Sequence, residues 1–265
     1  MRESIKKIIR PFTPKIGKKI YNFFRINLDD YYLLQKKDLS YATDQLYTFH
    51  NSDFRKDPLF VESYALARKV DNNRMLGKND IPWRMHVLYW AGNMVKNIEG
   101  DYVDCGVSTG FCARSLIHYI EFNKLNKKYF LLDTFSGLDP KYSSKKEMEA
   151  DNWFKYKEKT DTYENAKKTF AGFNVEIIKG SVPDTLPQVH VKKICFLHLD
   201  MNAVIPEVMA LDFFWEKISK GGVVLFDDYA YQGCHDHKEA HDAWAKKHNV
   251  EILSLPTGQG LLIKT

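Results

Sequence analysis

Five short apolar runs, each closing on an acidic residue or a glycine, constrain this chain more than any other feature: DYVDCGV, KYFLLDTF, NVEIIKG, KKICFLHLD and GGVVLFDDY. Stretches with helical spacing lie among and around them, WRMHVLYWAGNMV before the first, then TGFCARSLIHYI, TYENAKKTF, PEVMALDFFWEKI and KEAHDAWAKKH. Such an alternation buries its apolar surface as a parallel sheet with helices on both faces. The last stretch, NVEILSLPTGQGLLIKT, holds two short strands around a Pro/Gly turn, so the sheet is expected to finish in an antiparallel hairpin.

The rest of the chain sets the organisation. At 265 residues and 44% hydrophobic it is long enough for one α/β core with a helical extension. We expect a basic N-terminal segment and helical cap over 1–80, with short helices in SYATDQLYTF and LFVESYALARKV and a loop at LGKNDIP, followed by the main domain over 81–265. The segment DPKYSSKKEMEADNWFKYKEK is long, charged and weakly patterned, and reads as a mobile insertion near the site, with a plain solvated helix as the alternative. No apolar run approaches the roughly 20 residues that span a bilayer, and the first 25 residues lack the apolar core and cleavage site of a signal peptide, so a cytoplasmic protein is expected. Four cysteines without a CxxC pair suggest free thiols.

Of the net charge of +5, residues 1–25 carry +7 and the remainder −2. Ile16, Ile20, Phe23 and Phe24 share one helical face among lysines, a pattern that fits a helix lying on an anionic membrane surface, although Pro11 and Pro14 interrupt it. The commoner fate of such a stripe is packing on its own domain or on a sister subunit, which would make a homo-oligomer. Nucleic acid is not indicated, because no aromatic and polar groups interleave the basic run as a base-reading surface requires.

In an open parallel sheet ligands bind beyond the carboxyl ends of the strands, so the run ends carry the chemistry. The first ends in Asp104, Cys105 and Gly106, then turns through Val107, Ser108 and Thr109 to Gly110; glycines let the turn approach a ligand, and the helix that follows offers free amides. The second ends in Asp133, 29 positions after Asp104, where an acid accepts the two hydroxyls of a ribose. Together they imply an adenosine, and the missing middle glycine of GxGxxG argues against a pyrophosphate on the turn. The third run leads to Gly180 and Ser181, the fourth to Asp200, the fifth to Asp227 and Asp228. Each Asp alone reads as a cap or turn residue. Three carboxylates converging with no basic residue nearby in the sequence need a cation, and an oxygen-only donor set favours Mg²⁺ or another hard divalent ion.

The ordered set YVDCGVSTGF, LLDTFSGL, GSVPDTLP, FLHLDMN and GGVVLFDDY, over roughly residues 80–265, resembles the macrocin O-methyltransferase family of class I S-adenosylmethionine (AdoMet) enzymes, which methylate sugar hydroxyls with Mg²⁺. The resemblance implies a seven-stranded Rossmann-like sheet with its hairpin last. It places Gly106 and Gly110 against the methionine moiety, Asp133 on the ribose, Ser181 at the adenine edge, and Asp200, Asp227 and Asp228 on the metal. Asp104, Ser108 and Asp200 complete the expected cofactor-binding set. The chain departs from the family's Asp-x-Asp-x-Tyr after the fourth strand, where it reads Asp200, Met201, Asn202, Ala203, Val204.

A sulfonium methyl is already activated, so the enzyme must align an acceptor oxygen and make it nucleophilic; Mg²⁺ would lower the pKa of a sugar hydroxyl, and Asp200 would take its proton. His235 or His237, in CHDHKEAH, is a second candidate for contact with acceptor or metal, and a zinc site with His241 is a weaker alternative. His198 reads as a hydrogen-bonded core residue, and Trp83, Arg84 and His86 as lining the acceptor pocket or packing the lid. A metal-independent methyltransferase and a non-catalytic AdoMet-binding module remain the competing classes.

Overall fold

Apolar side chains on both faces of the central runs leave a sheet no stable position except between two helical layers. The computed structural model describes residues 39–72, 80–153 and 162–265, apart from the side chains of 151–153. Within Tyr41–Thr265, the strands β3 (Asp101–Cys105), β4 (Tyr129–Asp133), β5 (Val175–Lys179), β6 (Ile194–Leu199), β7 (Ile218–Phe226), β8 (Leu253–Ser254) and β9 (Gly260–Ile263) form one seven-stranded sheet in the order β5-β4-β3-β6-β7-β9-β8. The first five are parallel; β9 pairs antiparallel with both β7 and β8, so the expected terminal hairpin is present. The strand order reverses between β3 and β6, the place where a doubly wound sheet opens a crevice.

Alternation along the strands divides the core. On one face Tyr102, Tyr129, Phe196 and Leu225 pack with Phe60, Tyr64, Met85, Leu88, Tyr89 and Leu116 from α1 (Pro58–Val70), α2 (Pro82–Met94) and α3 (Phe111–Tyr119). On the other, Val103, Phe130, Leu197 and Val224 meet α6 (Val182–Thr185), α7 (Val204–Phe214) and α8 (His235–Lys247). Between β4 and β5 lie α4 (Lys145–Trp153) and α5 (Thr162–Thr169). In the segment read as a mobile insertion, α4 starts with a capping box: the Glu147 N–H donates to Ser144 Oγ and the Ser144 N–H donates to Glu147 Oε2.

One expected helix is a hairpin. SYATDQLYTF contributes β1 (Tyr41–Thr43) and β2 (Leu46–Thr48), antiparallel, because Asp44 and Gln45 both take positive φ, at 50° and 58°, and make the tight turn that matches strand twist. LFVESYALARKV is the expected helix, entered through Asp57, whose carboxylate accepts the Phe60 N–H at 2.8 Å. The basic segment of residues 1–25 and most of the LGKNDIP loop lie outside the described residues. Among the described residues no helix is long and apolar enough to cross a membrane.

Candidate active site

The sheet ladder continues one residue past three strands and fixes the tips. The Gly106 N–H donates to Leu132 O, the Asp200 N–H to Cys105 O and the Asp227 N–H to Leu199 O, each at 2.9 Å. Gly106 has φ +102°, and a Cβ there would sit 1.9 Å from the Asp200 carbonyl oxygen; the close backbone approach that demands glycine is therefore to the neighbouring strand tip. Gly110, φ +93°, faces the Phe170 ring in the same way.

Asp133 ends β4 with its carboxylate turned back on the glycine turn, where Oδ2 accepts the Ser108 N–H at 2.8 Å and Oδ1 accepts the Phe135 N–H. Burial raises its pKa, and these amide donors oppose the rise. Asp133 and Ser108 are thus brought together at the crevice. Ser181 stands at the start of α6 and donates its hydroxyl to Asp139. Asp104 points into the core: fully buried, its Oδ1 lies 2.9 Å from Nδ1 of His198, its register partner on β6. His198 is accordingly the hydrogen-bonded core residue that its strand position suggested, and Asp104 ties β3 to β6 beneath the tips.

Asp200, Asp227 and Asp228 do converge. One oxygen from each lies within 4.8 Å of the others, and among the described residues this is the one group of three acidic, histidine or cysteine side chains so placed. Burial, then the charges of Asp227 and Asp228, pushes the Asp200 carboxyl well above the usual carboxylate range; Asp228 is raised as well, by burial against the pull of Arg84.

Arg84, read from the sequence as lining the acceptor pocket or packing the lid, is the counter-charge that no sequence neighbour of the acids supplies. Its Nη2 donates to Asp228 Oδ1 at 2.9 Å, to the Asp227 carbonyl at 2.7 Å and to the Asp227 carboxylate. The basic residue missing from the sequence neighbourhood is 143 positions away, on the buried face of α2. Burial disfavours its charge, but Asp227, Asp228, Asp44 and Asp200 hold the guanidinium firmly protonated. Three other residues complete this rim. Gln259 Nε2 donates to Asp227 Oδ1 at 2.9 Å. Tyr231 places its ring 4.9 Å from the Arg84 guanidinium carbon and donates its hydroxyl to Asp44 Oδ1 at 3.0 Å. Asp44, at the β1–β2 turn, is pushed up to about 6 by burial, with Arg84 opposing. The signals available for these were slight: one arginine in a mostly apolar helix, and polar residues in turns.

The histidines separate along α8. His235 is exposed at the helix start, while positions 237, 241, 244 and 245 make the buried face. The inward histidine is His237, against Glu207 at 3.1 Å.

A family model for macrocin-O-methyltransferase (TylF) matches residues 74–253. Comparison with curated protein sequences gave no match. Among solved structures, the O-methyltransferase NovP superposes with a TM-score of 0.63 at 16% identity, over 78% of this chain and 100% of that one. The calicheamicin methyltransferase CalS11 gives 0.54 at 16% identity, over 81% and 97%. An O-methyltransferase from Bacillus cereus gives 0.50 at 12%, over 78% and 91%. At these identities the structural likenesses bear on the fold alone, which is that of class I methyltransferases.

Proposed function

Because the chain belongs to the macrocin-O-methyltransferase family, and is thereby an AdoMet-dependent O-methyltransferase, we propose that it methylates a sugar hydroxyl activated at Asp200, Asp227 and Asp228 with Mg²⁺. The observation that carries this reading is the convergence of three carboxylates within 4.8 Å at the tips of β6 and β7, beside the glycine turn of β3. Arg84 brings one positive charge against three acids, so the donor set retains negative charge for a hard cation and offers it oxygen alone. AdoMet, when bound, supplies an electrophilic methyl group, and Asp133 is the acid at the position to accept its ribose hydroxyls. Mg²⁺, when bound, polarises the acceptor hydroxyl.

The remaining work falls to the chain's own groups. Asp200 is the base: its carboxylate stands at the rim with Asp227 and Asp228, where it would take the hydroxyl proton as the oxygen bonds to the methyl carbon. The electron pair of the broken C–S bond stays on sulfur, so charge and atoms balance with the proton on Asp200. Tyr231, Asp44 and Gln259 form a polar rim suited to a hydroxyl-rich acceptor such as a glycoside, a nucleotide sugar or a polysaccharide precursor.

A second reading, metal-independent transfer, draws on Arg84, a cation already bonded to two of the acids. One experiment separates them: transfer of labelled methyl from AdoMet to a panel of nucleotide sugars and glycans, with and without EDTA, by wild type and Asp200→Asn. Chelation and the substitution should each lower turnover about a hundredfold, the scale of losing a general base. Full turnover in both cases excludes the metal-and-base mechanism.

A further inference from the structure

His237 and His241 of α8 have no part in the chemistry above, yet the fold buries them beside the turn that carries Asp200. Glu207 on α7 is 1% exposed, and its Oε2 lies 3.1 Å from His237 Nδ1 and 3.3 Å from His241 Nε2. Its other oxygen accepts the Met201 N–H at 3.1 Å. Glu147, reaching over from α4, accepts the Val204 N–H at 2.8 Å, and the same oxygen is 3.9 Å from His237 Nε2. Two carboxylates therefore grip the backbone of the turn at both ends, with one imidazole between them.

The turn needs such help. Asn202 takes the left-handed conformation, φ +54°, and the start of α7 leaves amide donors that Ala203 has no side chain to cap. These residues stand where the chain departs from Asp-x-Asp-x-Tyr, and the local side-chain support is slight: Asn202 Nδ2 donates to Asp200 Oδ1 at a long 3.4 Å.

The groups facing His237 are Glu207 from α7, Glu147 from α4, Asp228 from the tip of β7, and His241 one turn along α8. Burial favours the neutral ring, but the carboxylates outweigh it and raise His237 to about 9; Nδ1 donates to Glu207, and Nε2 faces Glu147 at ion-pair distance. His241, whose pKa burial lowers, adds bulk and no second charge. The two histidines bracket one carboxylate oxygen and, with it, do not form a metal-holding group of three, which makes this a clamp on the turn.

We infer that Glu207, His237 and Glu147 are positioning residues that hold the Met201–Val204 turn and thereby set where the Asp200 carboxylate points. The inference rests on the reading of Asp200 as a metal ligand. Mn²⁺ binding to the full chain, followed calorimetrically with AdoMet present, tests it without the acceptor.

Glu207→Gln, His237→Gln and Glu147→Gln should each weaken Mn²⁺ binding about tenfold, the scale seen when groups orienting a metal ligand are lost, with AdoMet affinity held within about twofold. A lowered melting temperature with wild-type Mn²⁺ affinity in all three overturns the inference. Asp200→Asn is the control. If it keeps wild-type Mn²⁺ affinity, or if wild type binds no Mn²⁺, the reading of Asp200 fails and takes the inference with it. If it loses Mn²⁺ while the three positioning variants do not, the inference alone fails. Glu147 is half-buried on the outer helix α4, where glutamine keeps the capping box but cannot also serve Val204, so this variant decides the matter if the two buried ones do not fold.

Discussion

Replacing Arg84 with methionine keeps the stem that packs in α2 and removes only the charged head from between Asp227 and Asp228. The side chains involved are nearly closed to solvent, 9% exposed for Arg84 and 13% and 10% for the two acids, so water cannot substitute freely for the guanidinium. Removing one partner from a buried ion pair costs about 3–5 kcal/mol, and the residual exposure here argues for the lower end, about 3 kcal/mol. For a chain of this size that lowers the melting temperature by about 6–12 °C. The pH dependence has a definite sign. Asp200 and Asp228 already bind protons more tightly in the folded protein than the usual carboxylate, and losing Arg84, which opposes both shifts, raises them further. A carboxylate with a raised folded pKa favours the folded state when protonated; that contribution is present below its unfolded pKa and lost as pH rises through the folded one. The variant should therefore regain stability relative to wild type as pH falls from about 7 toward about 4. Mg²⁺ should also stabilise the variant more than wild type, because it meets an uncompensated acidic cluster. Urea denaturation across that pH range, with and without Mg²⁺, gives all three quantities. A variant within about 1 kcal/mol of wild type at neutral pH, with a parallel pH profile, would refute the argument that Arg84 is the counter-charge.

Three further outcomes follow from the same geometry. Gly106→Ala puts a Cβ 1.9 Å from the Asp200 carbonyl in a backbone with φ +102°, and should cost about 3 kcal/mol or more in urea denaturation. Asp133→Ala should weaken AdoMet binding at least about tenfold by calorimetry, since hydrogen bonds to a charged acceptor contribute about 1.5–3 kcal/mol each; unchanged affinity removes Asp133 from the ribose. The folded pKa of His237, about 9 against 6.5, makes its link to Glu207 a stabilising term that is complete below 6.5 and lost as pH rises through about 9. Wild type should lose no more than about 3 kcal/mol across that window, and His237→Gln should lack this limb of the stability profile.

Periodicity and strand ends made the sheet legible, because a strand buried on both faces shows as a continuous apolar run and its first polar residue marks the tip. Asp133, Asp200, Asp227 and Asp228 were read this way, and the last three do converge. What escaped was whatever depends on contacts distant in sequence. Arg84 was read beside Trp83 and His86 as lining the acceptor pocket or packing the lid, not as the counter-charge of the acids, and Gln259 looked like part of a turn. Tyr41–Thr48 was read as helical because its hairpin turn uses Asp44 and Gln45 at positive φ instead of the usual glycine. Asp104 shows the reverse error: an acid beside the glycine turn reads as a ligand group, yet it closes on His198 in the core because the register sets them side by side. His235 and His237 were indistinguishable until the helix phase was known, since two residues along a helix turn a side chain from solvent to core.

The placement of β9 bears on how the molecule comes together. This strand follows β8 in the chain but lies between β8 and β7, so β8 has no edge to join until β9 has paired with β7. The rim closes on the same event: Gln259, just before β9, reaches Asp227, while Arg84 and Asp44 meet residues 143 and 187 positions away. Loop-closure entropy delays such distant contacts, which makes this a slow-folding topology whose parallel half can form first. A partly folded chain holding only β3 to β7 would have the glycine turn and the bare acids without Gln259 in place. Exchange of the β9 amides with solvent should therefore report on the intactness of the acceptor rim more directly than loss of the central strands does.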